Sequence, residues 1–153
     1  SPDQDLQDIH SKATRLNDAQ VITVGTQLLF DEGSWELSQQ MRRVLTQQVL
    51  PQIKGKRNKV MVRGHAYGEG DRSGRRSLMD MSFRRANAVS DFLVSQGANP
   101  LAIVLHAAGD TEPRVIPTSF AESVDRNRRV ELLLSEITID QMHPDPDGTG
   151  RTR

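Results

Sequence analysis

Cysteine is absent from the 153 residues, so the chain needs no disulfide framework and has no thiolate with which to hold a metal. Aromatic residues are scarce, at four Phe, one Trp and one Tyr, which leaves few platforms for stacking on exposed bases or sugar rings. No apolar run approaches the roughly 20 residues that a membrane-spanning helix requires. An excess of one charge is missing too, with 20 Lys+Arg against 20 Asp+Glu, and this argues against a general polyanion binder, nucleic acid included. His10, His65, His106 and His143 lack ligand spacing, so no metal and no other cofactor is expected. Ser82 has no evident histidine partner, and the glycines at 64–74 match no phosphate-loop pattern. An enzyme is therefore not expected.

Within the balanced charge lies a bias, because 16 of the 20 basic residues are arginine. A planar guanidinium grips both oxygens of a carboxylate, which lysine cannot do, so recognition of planar anions is favoured over diffuse attraction. Arg85 stands out. It lies near the start of a helical pattern that follows a strand ending in Gly64-His65, where it reads as a carboxylate clamp aided by the helix's first N–H groups.

The chain is long enough for one domain with a real core. Residues 1–20 are polar, with weak helical spacing, and read as a linker helix from a missing upstream region. The start at Ser1-Pro2 resembles a processed or excised piece, and a membrane anchor is expected only in that upstream part. Residues 21–136 form the folded domain. Strands are predicted at Val21–Val24 and Val60–Arg63, at Ile103–Ala108 and from Val130 to Leu134, with a short extended stretch at Leu28–Asp31. Helices are predicted from Leu37 to Pro51, which should end or kink the first, and from Leu78 to Ser95. A short helix is expected at Ser119–Val124, and residues 137–153 read as a disordered tail. The order β-α-β-α-β-(α)-β predicts an α+β sandwich: a mixed four-stranded sheet with helices packed on one face.

Five segments in this order carry a resemblance. They are Phe30-Asp31-x-Gly33-Ser34-x-x-Leu37, Val60-x-Val62-x-Gly64-His65, Ser82-x-x-Arg85-Ala86-x-x-Val89-x-x-x-Leu93, Gly109-Asp110-x-x-Pro113 and Asn127-Arg128-Arg129-Val130-Glu131. Over residues 21–136 the chain resembles the OmpA-like domain, shared by OmpA, peptidoglycan-associated lipoprotein and the stator protein MotB. The resemblance implies a periplasmic or envelope location and non-covalent binding of peptidoglycan through the diaminopimelate of the stem peptide. It also implies that Arg85 takes the ligand carboxylate while an acid meets the ammonium.

The family's acid falls at Tyr67, which is neutral at pH 7, and Leu78 replaces a usual asparagine. Glu69 and Asp71, on a longer loop, are the candidates to restore the acid, and Phe30, Asp31, His65 and Tyr67 are expected to shape the pocket. Arg85 could instead be structural, tied to Asp31 or Asp110. Two further functions stand beside peptidoglycan binding. One is a structural or homodimerisation module of a stator or secretion complex that has lost the ligand, with the glutamine-rich face near Gln39 serving assembly. The other is binding of an anionic polymer by the cluster of Arg72, Arg75, Arg76, Arg84 and Arg85.

Overall fold

Alternation of apolar residues in three segments builds the sheet, and two amphipathic helices cover one of its faces. A computed structural model describes residues 20–21, 28–69, 75–115 and 125–142. The expected linker helix, most of the first strand, the helix at 119–124 and the end of the tail lie outside the described residues.

The chain order is β1 (Gln20–Val21), helix α1 (Gln39–Val44, Leu45–Val49 and Leu50–Ile53 in succession), β2 (Asn58–Gly64), α2 (Arg75–Ser95), β3 (Ile103–Ala107), β4 (Val130–Thr138) and α3 (Ile139–Met142). Three full strands make the body of the mixed sheet. β2 lies in the middle, parallel to β3 and antiparallel to β4, and β1 adds only a two-residue pairing to the outer side of β4.

Val60, Val62, Val130 and Leu132 point to one face, where they join Met41, Val44, Leu45, Val49, Ala86, Val89 and Leu93 of the helices in a single core. The period of two in the strands meets the helical period of 3.6 across this layer.

Ser38 caps α1, its Oγ accepting from the Met41 N–H at 3.1 Å. Pro51 does not end the helix as expected. The preceding turn, Leu45–Val49, widens to π-helical pairing, with the Leu50 N–H donating to the Leu45 carbonyl. That wider turn makes room for a residue that has no N–H and a ring that would crowd a tighter turn. The tail boundary also moves. β4 continues to Thr138, Ile139 of α3 is buried, and Arg57 pairs with Asp140 at 2.8 Å, so residues 137–142 belong to the folded part.

α2 begins at Arg75, three residues before the expected start. Arg85 is then ten residues into the helix, about 15 Å along its axis, and gains nothing from the first N–H groups. Its neighbours on the buried side are Ser82, Ala86, Val89 and Leu93, whereas Met79, expected inside, is exposed. At the end of β2 the helix presses directly on the strand. A Cβ on Gly64 would lie 1.8 Å from the Ser82 carbonyl oxygen, so only glycine fits there. This close approach brings Arg85 up to the end of β2.

Candidate carboxylate site

Arg85 is the largest fully buried side chain among the described residues. Its guanidinium makes a fork on Glu69, with Nη1 donating to Oε2 at 2.6 Å and Nη2 to Oε1 at 2.5 Å. The remaining N–H groups go to main-chain carbonyls: Nε to Ser34 at 2.8 Å, Nη1 also to His65 at 3.0 Å, and Nη2 also to Asp31 at 3.0 Å. All five donors of the guanidinium are engaged, and its cation lies 5.3 Å from the Phe30 ring centroid.

Glu69 is held as completely as Arg85. Beyond the fork, its Oε1 accepts from the Gly33 N–H at 2.8 Å and its Oε2 from the Tyr67 N–H at 3.0 Å. Arg128 stands 3.7 Å from Oε2, with its Nε donating to the Tyr67 carbonyl and its Nη1 facing Asp125. Burial pushes the Glu69 carboxyl upward, but the hydrogen bonds from Arg85, Gly33 and Tyr67, with the Arg85 charge, outweigh it and leave the pKa below the usual range. The side chains of Arg85 and Glu69 are both inaccessible to solvent.

Local backbone explains how Glu69 arrives. Ala66 donates to the Gly109 carbonyl, Tyr67 is tied through its carbonyl to Arg128, and Gly68 takes a positive φ of 56° that turns the chain back. The turn at Asp31–Ser34, with Gly33 at φ 71°, aims the Gly33 N–H at the same carboxylate.

The site residues expected from the sequence therefore gather, in altered roles. Phe30, Asp31, His65, Tyr67, Glu69 and Arg85 all meet at one centre, whereas Asp71 lies outside the described residues. Arg85 is not an open clamp but a filled one. Glu69, a candidate to meet a ligand ammonium, instead occupies the carboxylate's place on the arginine, because the turn at Gly68 directs it onto the guanidinium. Neither Asp31 nor Asp110 neutralises Arg85. Asp31 offers its carbonyl and keeps its carboxylate on an exposed residue. Tyr67 contributes main-chain groups to the centre.

Several polar residues prove to be supports. Ser82 Oγ donates to the Met79 carbonyl and accepts from the Gly109 N–H, fastening the turn after β3 to α2. Buried Asn127 closes the loop at residues 114–115 through three hydrogen bonds. The expected arginine cluster is also thinned: Arg85 is buried, and Arg84 pairs with Asp80 at 2.9 Å and lies over Trp35, 4.8 Å from the ring centroid. Arg128 is the neighbour of this centre that sequence reasoning left unresolved. Alternation along Arg128–Arg129 separates the two side chains but does not say which one meets the site.

Fold and site together define an α+β domain built around a buried carboxylate–guanidinium centre. The OmpA family matches residues 29–128, and the chain belongs to that family. It is 32% identical over 117 residues, 76% of this chain and 67% of the relative, to the peptidoglycan-associated lipoprotein of Pseudomonas aeruginosa. The C-terminal domain of Helicobacter pylori MotB superposes with a TM-score of 0.60 at 23% identity, over 76% of this chain and 89% of that one. The cell wall anchor of the T6SS from Pseudomonas aeruginosa does so with a TM-score of 0.55 at 28% identity, over 71% and 76%. Two of these relatives are named for association with peptidoglycan and for anchoring to the cell wall.

Proposed function

We propose that the chain is a cell-envelope module that attaches non-covalently to peptidoglycan, recognising the diaminopimelate end of the stem peptide at the Arg85 centre. One observation carries this reading. Two guanidiniums, Arg85 and Arg128, and two main-chain N–H groups, Gly33 and Tyr67, converge on a single carboxylate. The Arg85 fork and the two N–H groups are the donors a ligand carboxylate would need, and Arg128 adds a second positive charge 3.7 Å away. Membership of a family that includes a peptidoglycan-associated lipoprotein and a cell wall anchor supports the same ligand. The exposed Asp31 carboxylate, beside the turn that binds Arg85, is the acid nearest in sequence to serve the ligand ammonium. Tyr67 supplies no charge where the family expects an acid, so attachment is weak. Location in the periplasm belongs to this proposal.

Co-sedimentation with purified sacculi tests it: the chain should pellet with sacculi, and free meso-diaminopimelate should release it. Absence of any retention at millimolar sacculus-bound diaminopimelate would remove the reading. A second reading, a structural or self-associating module without ligand, is favoured by the saturation of all five Arg85 donors. Self-association in analytical ultracentrifugation without sacculus retention would select it.

A further inference from the structure

We infer that Glu69 is an internal ligand: the chain carries a built carboxylate-binding site and fills it with its own side chain. The inference deepens the peptidoglycan reading and rests on it only for the identity of the external competitor. The geometry is that of a receptor and its guest. Arg85 reaches the carboxylate from α2, Gly33 from the turn before α1, Tyr67 from the end of β2, and Arg128 from the segment leading into β4.

These donors are held in place by contacts that do not involve Glu69. The Arg85 fork is fixed by the carbonyls of Asp31, Ser34 and His65, and Arg128 by the Tyr67 carbonyl and Asp125. The guest is brought in by a surface turn at exposed Gly68, whereas the Arg85 fork is fixed from α2 and by three carbonyls. Take away its side chain and the Arg85 fork and the two main-chain N–H groups still point at one spot, with the Arg128 charge beside it.

A tethered guest competes with any external one. Glu69 is two residues from the anchored Tyr67, and a tether that short presents its carboxylate at an effective concentration in the millimolar range or above. An external carboxylate makes the same hydrogen bonds and must first displace it. Glu69 thus lowers the apparent affinity for a ligand carboxylate by the factor with which it occupies the site. It also excludes ligands too small to gain contacts elsewhere.

Chemical rescue reads this directly. Glu69→Ala should be less stable than the parent and regain stability in sodium acetate. A rise of about 4 °C in Tm over sodium chloride of equal ionic strength is expected for a tenfold shift in the folding equilibrium, growing logarithmically once acetate exceeds its Kd. The parent should not respond. If Glu69→Ala is unfolded in chloride, acetate-dependent recovery of its far-ultraviolet helix signal is the readout. Glu69→Gln, which keeps the shape but presents an amide N–H₂ to the donors, should respond less than Glu69→Ala. Failure of both variants to distinguish acetate from chloride overturns the inference.

Sacculi separate this outcome from the peptidoglycan reading. Retention of Glu69→Ala should exceed that of the parent by at least about tenfold, the loss of competition from a millimolar internal guest. Acetate rescue without sacculus retention leaves the carboxylate site standing and removes peptidoglycan as its ligand. Sacculus retention without acetate rescue removes Glu69 as the internal occupant and leaves attachment to another part of the surface.

Discussion

Adjacent arginines at the entry to β4 build two centres of opposite character. Arg128 reaches the Arg85–Glu69 centre, where every guanidinium donor of Arg85 has an acceptor. Arg129 goes the other way, to the Glu112 carbonyl and to Glu131, which His65 also approaches. There the accounts do not balance: Arg129 Nη1 and both ring nitrogens of His65 have no hydrogen-bond partner among the described residues. Glu131 is the carboxylate shared there by Arg129, Arg114 and His65.

The electrostatics follow. Burial, then the charges of Arg129 and Arg63, with His106 and Arg114 behind them, hold the His65 pKa down at about 3. His65 is therefore neutral at physiological pH, and its 3.4 Å approach to Glu131 is not an ion pair there. Burial likewise lowers the Arg129 pKa, although Glu131 opposes it. The first centre is organised to hold a carboxylate. The second is short of negative charge, and its histidine is kept uncharged by burial first and by the surrounding positive charge second. Complementarity, rather than burial or the number of arginines, separates a satisfied centre from a poorly satisfied one.

The largest effect should come from breaking the satisfied centre. Arg85→Ala leaves Glu69 buried without its fork and is expected to cost about 3–5 kcal/mol in urea unfolding. Arg85→Met with Glu69→Leu should recover only part of this, because three carbonyls lose their donor. Full recovery would show that those carbonyl contacts contribute nothing.

Acid should act next, through the other centre. With its folded pKa lowered below the unfolded value, His65 binds more protons in the unfolded chain. Stability is then complete above about pH 6.5 and falls as pH drops toward 3. About 2 kcal/mol should be gone by pH 5. Glu69, a depressed acid, adds its own loss only below the ordinary carboxylate range near 4.5. Stability of His65→Gln should be flatter between pH 7 and 5, and an unchanged slope would assign the acid loss elsewhere.

Arg129→Ala should cost less than Arg85→Ala, about 1–2 kcal/mol, since a poorly satisfied cation leaves with its bonds. It should also raise the His65 pKa in an NMR titration of the ring. An unmoved pKa would leave burial and the charges of Arg63, His106 and Arg114 as its causes. At the bottom of the scale, Arg57→Ala removes an exposed pair with Asp140 and should leave the urea midpoint unchanged within error, as such pairs do.

Particular residues show what was legible beforehand. The alternation around Val60–Val62 and Val130–Leu134 and the helical face of Ala86, Val89 and Leu93 gave the layers, because burial on one face imposes these periods. Gly64-His65 and Arg85 marked the centre, because few residues other than glycine tolerate a helix pressed on a strand end. Pro51 left an end and a kink both open, since whether a proline stops a helix depends on whether the neighbouring turn can widen. The side of Arg128 was out of reach, because alternation has a period but no phase until the strand is paired.

Residue order alone determined the family, the sheet and helix pattern, and the arginine around which the domain is organised. These follow from local periodicity and from residue types that only certain backbones accept. Tertiary structure decided which acid meets that arginine. A guanidinium selects a carboxylate by distance and direction, and both depend on how Gly68 turns the chain and where β2, α2 and the Gly33 turn converge. No count of the acids in the loop contains that information.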